Sequence, residues 1–203
     1  MRFYKKLFAT KYDSFMTDLE KEFYPIRQKL IGHLEGKILD VGSGTGVNFE
    51  HFHKNTAVIA VEPSPYMLEK SLQKLPQKAK ITTYNFGVTD PQLEEVIAEN
   101  SLDYIVSTLV LCTIPHNELA LKKFKKWLKP SGKLIILEHI HAEQKIRRVL
   151  QNIVNPAWKI VGDGCNLNRN TDVLIKEAGF IVESEQYFKR SLRFYQGVFV
   201  LKN

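Results

Sequence analysis

"DVGSGTG", residues 40–46, places Gly42, Gly44 and Gly46 at alternating positions directly after the apolar run "KILDV" (37–41). Glycine gives up more backbone freedom on folding than any other residue, so three in seven positions need a reason. A short buried strand running into such a turn can lay main chain against a ligand. The dinucleotide fingerprint G-x-G-x-x-G is not met, because the third glycine arrives one residue early and Val47 holds its expected place. No Walker lysine follows, which argues against a phosphate-binding loop. The plain alternative is a tight strand-to-helix turn with no ligand.

Outward from this turn, strand and helix patterns alternate. The spacing of Phe15, Leu19, Phe23, Ile26, Leu30 and Leu34 predicts a helix over 12–34, broken in two at Pro25. After the glycine turn a helix is expected through His53. "AVIAVE" (57–62) is the second strand, and "SPYMLEKSLQKL" (64–75) a helix with Ser64 as N-cap and Pro65 at its first position. "KITTYNF" (80–86) is the third strand, and 91–100 a short helix capped by Asp90. The fourth strand lies within 102–111, followed by a helix over 117–128 and a "PSG" turn at 130–132. "KLIILEH" (133–139) is the fifth strand. A long helical excursion then leads to a helix over 170–180, capped by Asn168 or Asn170 and closed by Gly179, and to closing strands at 181–188 and 192–202. Such alternation implies an α/β fold with a mostly parallel sheet and helices on both faces. Ligands of these sheets bind beyond the carboxyl ends of the strands, where the glycine turn lies.

The remaining bounds are ordinary. A chain of 203 residues with 44% hydrophobic and 25% charged residues suits one domain, 1–203, with a sizeable core. Net charge is +7, but its clusters, such as "KKFKKWLK" (122–129), come with no nucleic-acid recognition motif, so no nucleic-acid partner is expected. Cys112 and Cys165 form no disulfide framework and no metal-ligand spacing, so no metal is expected and a reducing cytoplasm is the default. The basic start lacks an uninterrupted apolar segment, which argues against a signal peptide, and no stretch reaches membrane-spanning length.

The second strand narrows the ligand. It ends in Glu62, 22 residues after Asp40, where a carboxylate can accept both hydroxyls of a ribose. Glu62 can also be a solvated strand-end carboxylate, but its pairing with this turn favours the ribose. The glycines then accommodate an uncharged or zwitterionic tail, and Asp40 can orient the turn or an ammonium group.

The combination of "ILDVGSGTG" (38–46), "VEPS" (61–64), "SLDYIVSTLVL" (101–111) and "LKPSGKLIILEH" (128–139) resembles the class I S-adenosylmethionine-dependent methyltransferases. That resemblance implies a Rossmann-like seven-stranded sheet of order 3-2-1-4-5-7-6 with the last strand antiparallel. It implies S-adenosyl-L-methionine as cofactor, with Asp40, Gly42, Ser43, Gly44 and Gly46 at its methionine end and Glu62, with Pro63 beside it, on the ribose. "FGVTD" (86–90) would pass the adenine edge with Gly87 and Val88, where the family often has an acidic residue followed by a small apolar one. Thr108 and Leu109 would face the sulfonium and the acceptor. "STLVLCTI" (107–114), "LEHIHAE" (137–143), "NPAWKIVGDGCNLNR" (155–169) and "AGF" (178–180) further resemble the methyltransferase-like 7 proteins, thiol S-methyltransferases of animals. Those carry an N-terminal hydrophobic anchor that this sequence lacks, so it looks like a soluble bacterial relative. Small-molecule, quinone-precursor and phosphatidylethanolamine methyltransferases share parts of the same pattern.

Methyl transfer from a sulfonium is an in-line displacement in which the protein supplies binding, orientation and a dry site. A neutral nucleophile must also lose a proton. Glu138 and His139 at the end of the fifth strand and Asp163 in "GDGC" are the candidates. His139 can equally fix the following loop, Glu138 can cap it, and Asp163 can hold its turn. Cys112 and Cys165 read as small buried apolar residues. The N-terminal segment 1–35 is expected as a lid, with Tyr12 of "KYD" singled out, and the excursion 142–168, carrying Trp158, as a helical insertion over the acceptor. Arg2, Phe3, Tyr4, Lys5, Lys6, Leu7 and Phe8 together suggest peripheral contact with an anionic membrane. The expected activity is methylation of a small or lipid-like acceptor. A nicotinamide-dependent oxidoreductase and a non-catalytic cofactor-binding module are the alternatives.

Overall fold

The computed structural model describes residues 2–202, with side chains from residue 3. Seven strands form one sheet in the order β3-β2-β1-β4-β5-β7-β6: β1 (Gly36–Val41), β2 (Thr56–Val61), β3 (Lys80–Tyr84), β4 (Leu102–Thr108), β5 (Leu128–Ile140), β6 (Phe180–Lys189) and β7 (Arg193–Leu201). β1 pairs with β2 and β2 with β3 in parallel, while β7 runs antiparallel to both β5 and β6. The expected order and the antiparallel final strand are both present. The chain divides into two compact units, one reaching to Ile97 and including Leu102–Val106, the other comprising Ala98–Ser101 and the chain from Ser107 onward.

In the first unit, α1 (Arg2–Ile31) runs through Pro25 without a break. The break expected at Pro25 is absent because Phe23 and Arg27, one on each side, are both fully packed away. Tertiary burial there outweighs the lost backbone bond and the ring clash of an interior proline. The helix expected after the glycine turn shrinks to a single 3-10 turn, Phe49–His51. Positive φ at Gly42, Gly44 and Gly46 forbids helix up to that point, and the extended backbone of Phe52 ends it. α2 (Pro65–Leu72) begins where expected, with Ser64 in the N-cap position. The Ser64 side chain makes no cap bond, however, and its N–H instead donates to Glu62 Oε1 at 2.8 Å. α3 (Leu93–Val96) is only four residues long, with Gln92 rather than Asp90 at its N-cap.

In the second unit, α4 (Asn117–Trp127) leads directly into β5. The expected turn at Pro130–Gly132 is strand instead, and pairing with β7 starts only at Lys133. Pro130 therefore lies ahead of the stretch where that ladder needs its N–H. α5 (Lys145–Val161) fills most of the expected excursion, and α6 (Thr171–Glu177) follows with Asn170 in its N-cap position. The core of this unit is built from β5 and β7, whose Leu134, Ile136, Leu137, Tyr195 and Phe199 are completely buried. Among the described residues, no helix is long and apolar enough to cross a membrane.

Candidate functional site

In the first unit, β1 carries Asp40 into the glycine turn. Gly42, Gly44 and Gly46 have φ of 59°, 56° and 79°, the left-handed region that side chains disfavour. At Gly46 space also runs out, since a Cβ would lie 2.9 Å from the Phe49 ring and 3.1 Å from Ser71 Cβ. The Ser43 N–H donates to the Val61 carbonyl (3.0 Å), tying the turn to the end of β2. Glu62, next in the chain, is 8% exposed. Its Oε2 accepts from the Gly44 N–H at 3.0 Å and its Oε1 from Ser64 N–H. The carboxylate thus braces the turn. Pro63 and Gly87 also approach one another, a Cβ on Gly87 falling 3.9 Å from Pro63 Cβ. The Gly87 N–H donates to Asp90 Oδ2 (2.6 Å), and Val88 is buried.

Asp40 is completely buried, and its Oδ2 has no hydrogen-bond partner among the described residues. Burial pushes its carboxyl up to about 7, helped by the Glu62 charge and opposed by the Asn48 bond and Arg27. Asn48 Nδ2 donates to Asp40 Oδ1 (2.8 Å), and Arg27 Nη1 donates to Asn48 Oδ1 (2.7 Å). Arg27 is in turn gripped by both oxygens of Glu20, at 2.9 Å each. A buried polar chain therefore runs from α1 to the floor of the turn. A second tether joins the same elements. Thr45 Oγ1 donates to Asp13 Oδ1 at 2.7 Å and Lys70 Nζ to Asp13 Oδ2 at 3.1 Å. Burial pushes the Asp13 carboxyl up, but these bonds outweigh it and hold it below its usual value. Tyr12, the residue singled out from "KYD", is half-buried with its ring 5.6 Å from that of Phe8.

In the second unit, β4 ends at buried Thr108, and Leu109 takes a φ of 60°, a strained conformation for a branched side chain. Glu138 on β5 catches the chain just beyond, its Oε1 accepting from both Val110 and Leu111 N–H at 2.7 Å. Its Oε2 is buried with no partner among the described residues, and burial pushes the carboxyl up to about 7. His139 Nε2 lies 3.1 Å from Cys165 Sγ, which lies 3.7 Å from Cys112 Sγ. Burial opposes a charged imidazole, but the hydrogen bond with Cys165 outweighs it and His139 is raised. The hydrogen bond between the two thiols pulls Cys165 down and pushes Cys112 up.

The "DGCNLNR" run packs onto the loop after β4. Asn166 Nδ2 donates to the Cys112 carbonyl (2.9 Å), and Arg169 Nη1 donates to the carbonyls of Leu111 and Ile114. Asp163 and Gly164 have φ of 46° and 96°, which makes Asp163 part of a tight left-handed turn. The structure thus brings His139 together with Cys165, whereas Asp163 is outside the Cys112–His139–Cys165 grouping. Arg27, Asn48 and Asp13 were missed by sequence reasoning, although Asp13 lies within the quoted "KYD". The Cys112–Cys165 proximity was also missed, since 53 residues separate them.

A family described as "Methyltransferase domain" matches residues 10–185. Thiol S-methyltransferase TMT1A of Homo sapiens is 29% identical over 176 residues, covering 85% of this chain and 72% of that protein. Thiol S-methyltransferase TMT1B of Rattus norvegicus is 32% identical over 147 residues, covering 72% of this chain and 60% of that protein. Among solved structures, a SAM-dependent methyltransferase of Thermotoga maritima superposes with a TM-score of 0.70 at 18% identity, covering 98% of both chains. At that identity the superposition speaks for the fold alone.

Proposed function

Because the chain belongs to the methyltransferase domain family and is a class I S-adenosylmethionine-dependent methyltransferase, we propose that it methylates the sulfur of a small or lipid-like thiol. The observation that carries this reading is the 28–32% identity to four thiol S-methyltransferases. We further propose that residues 1–203 form one catalytic domain, with 1–35 as the lid and 142–168 as a helical insertion over the acceptor site.

Asp40, Gly42, Ser43, Gly44 and Gly46 would hold the methionine end of the cofactor, and Glu62 and Pro63 the ribose. Gly87 and Val88 would meet the adenine edge, Thr108 and Leu109 the reacting end, and Tyr12 would lie on the lid. The fit rests on Asp40, whose buried Oδ2 has no partner among the described residues and would be satisfied by an ammonium group. The cofactor supplies an activated methyl group when bound. The chain's own work is to align the acceptor and keep water out. It must also remove a proton, because a free thiol with a pKa of about 8.5 is mostly protonated at neutral pH and only the thiolate is strongly nucleophilic. Glu138 and His139 bring the needed polarity beside Cys165, and Asp163 shapes the turn that presents it.

We also propose peripheral contact with an anionic membrane surface in a reducing cytoplasm. On α1, Phe3 and Leu7 are exposed, and the Arg2 side chain of the expected basic cluster lies outside the described residues. On α5, Ile146, Ile153 and Ile160 are 85%, 70% and 71% exposed, with Lys145, Arg147, Arg148 and Lys159 on the same helix. Sedimentation with anionic liposomes at low salt tests this, and protein left in the supernatant rejects it.

The function is tested with labelled S-adenosylmethionine against alkyl thiols, phenols and phosphatidylethanolamine. Counts in the thiol arm, lost in Glu62→Ala, are expected. Turnover of phenol or amine without thiol would overturn the sulfur assignment.

A further inference from the structure

Cys112 follows β4, His139 lies near the end of β5 and Cys165 sits in the loop after α5. Three separate segments therefore converge beyond the carboxyl ends of two neighbouring strands. One ligand atom from each lies within 4.8 Å of the other two, and among the described residues this is the one such grouping of His, Cys, Asp or Glu.

The spacing fits a tetrahedral ion. With metal–sulfur bonds of about 2.3 Å, two thiolates at tetrahedral angles stand about 3.8 Å apart. The Cys112 and Cys165 sulfurs are 3.7 Å apart. A disulfide would need them at about 2.05 Å, a much larger movement. A metal-bound imidazole nitrogen would stand about 3.5 Å from each sulfur; His139 Nε2 is 3.1 Å from Cys165 Sγ, and the His139 ligand atom is within 4.8 Å of Cys112 Sγ, so small shifts bring it into place.

The ligands are also held in place. Asn166 grips the Cys112 carbonyl through both its backbone N–H (3.0 Å) and its Nδ2 (2.9 Å). Arg169 anchors the carbonyls on either side of that residue. Cys112 and His139 are buried, whereas Cys165 is only partly buried, so the cluster is not sealed from solvent. Two sulfurs and one imidazole, with no fourth His, Cys, Asp or Glu in the grouping among the described residues, match an open site of the kind zinc uses for chemistry, in contrast to a closed structural one.

We propose that Cys112 Sγ, Cys165 Sγ and His139 Nε2 bind a zinc-class divalent cation whose fourth position takes the sulfur of an exogenous thiol. Binding of the cation by the two thiolates releases the Cys112 and Cys165 Sγ–H protons to solvent, and the cation accepts the His139 Nε2 lone pair. An incoming R–SH replaces water at the fourth position, forms the metal–sulfur bond and releases its own proton to solvent, leaving a bound thiolate. His139 then serves as a ligand, and no protein base is needed for the acceptor. The fourth-position claim rests on the thiol-acceptor reading, whereas the metal claim stands without it.

The test is titration of reduced, metal-stripped protein with Co2+ as a coloured stand-in for Zn2+. Saturation at one equivalent is expected, with a thiolate-to-cobalt charge-transfer band that excess Zn2+ abolishes. Cys112→Ser and Cys165→Ser should each weaken cobalt binding at least about tenfold. No charge-transfer band in folded wild-type protein, or an unchanged band in either variant, overturns the site. If the variants fail to fold, X-ray absorption on the wild-type zinc form decides, with two sulfurs and one nitrogen expected and an all-oxygen or all-nitrogen shell overturning it. A Cys112–Cys165 disulfide in anaerobically handled protein that takes up no metal overturns it as well. Adding 2-mercaptoethanol to the cobalt form should strengthen the charge-transfer band. An unchanged spectrum overturns the fourth-position claim alone, whereas an intact cobalt site without labelled-thiol turnover overturns the thiol reading and leaves the metal claim standing.

Discussion

The two units assemble their polar groups in different ways. In the first, one short run of chain, from Asp40 to Asn48, supplies both the bend and the buried network beneath it, and α1 reaches in with Arg27 and Asp13 to lock it. In the second, the polar cluster comes from three segments that meet only after folding, at Cys112, Glu138–His139 and Cys165. The comparison teaches that the proposed cofactor turn is written in backbone conformation, which is local, whereas the cluster proposed for the acceptor depends on side chains brought together by tertiary packing.

The strongest way to break this comparison is to cut the link between α1 and the turn. Arg27→Met leaves Glu20 and Asn48 facing a missing guanidinium inside the protein. Removing one partner of a fully buried pair costs about 3–5 kcal/mol, and because Glu20 is 21% exposed the expected loss lies toward the lower end of that range. Denaturant unfolding should show that loss, and Arg27→Met with Glu20→Leu should recover part of it. A loss below about 1 kcal/mol would mean that the first unit does not depend on its buried charges. Next in size is Gly46→Ala, which forces a side chain into left-handed backbone against Phe49. The conformational strain alone is about 1–3 kcal/mol. Calorimetry with S-adenosylhomocysteine should show affinity falling at least about tenfold, the equivalent of 1.4 kcal/mol. Unchanged affinity would put the cofactor elsewhere.

Asp40 sharpens the comparison through pH. Its carboxyl is raised from 3.8 to about 7, so between those values the folded state keeps a proton that the unfolded chain has lost. Its contribution to stability is therefore present at low pH and is lost as pH rises through about 7. Cofactor binding runs in the opposite direction, since an ammonium group prefers the ionised carboxylate. Affinity for S-adenosylhomocysteine should rise up to about pH 7, by up to about tenfold per unit below it, and then level off. Asp40→Asn should flatten that slope. A slope that survives in the variant would assign it to another group.

The same division explains what could be read in advance. The alternation of strands with helices and the glycine bend follow from local pattern, because each declares itself within a few residues, whereas the strand order came with the family resemblance. Asp40 and Glu62 were singled out for the same reason, being strand-end carboxylates at a telling interval. The Pro25 break failed because burial of Phe23 and Arg27 is a tertiary fact that outweighs a local rule. The helix to His53 failed because the glycine conformations consume the residues it needed. The two cysteines read as inert core when taken singly. Cys165 is 26 residues from His139 and 53 from Cys112, and no spacing rule covers their meeting.

The smallest expected effect concerns the second unit's surface. Lys133 Nζ donates to both oxygens of Glu183 at 2.7 and 2.8 Å, a contact as short as any made by Arg27. Its side chains are 34% and 45% exposed, against 2% and 21% for Arg27 and Glu20. Water screens the exposed pair and already solvates each charge, so removing one partner strands nothing. Lys133→Gln should therefore cost less than about 1 kcal/mol, and less still at high salt. Cofactor affinity should not move. A cost near that of Arg27→Met would show that bond length outweighs burial in this protein. The distinction between a turn held by buried charge and a sheet edge decorated with exposed charge would then fail.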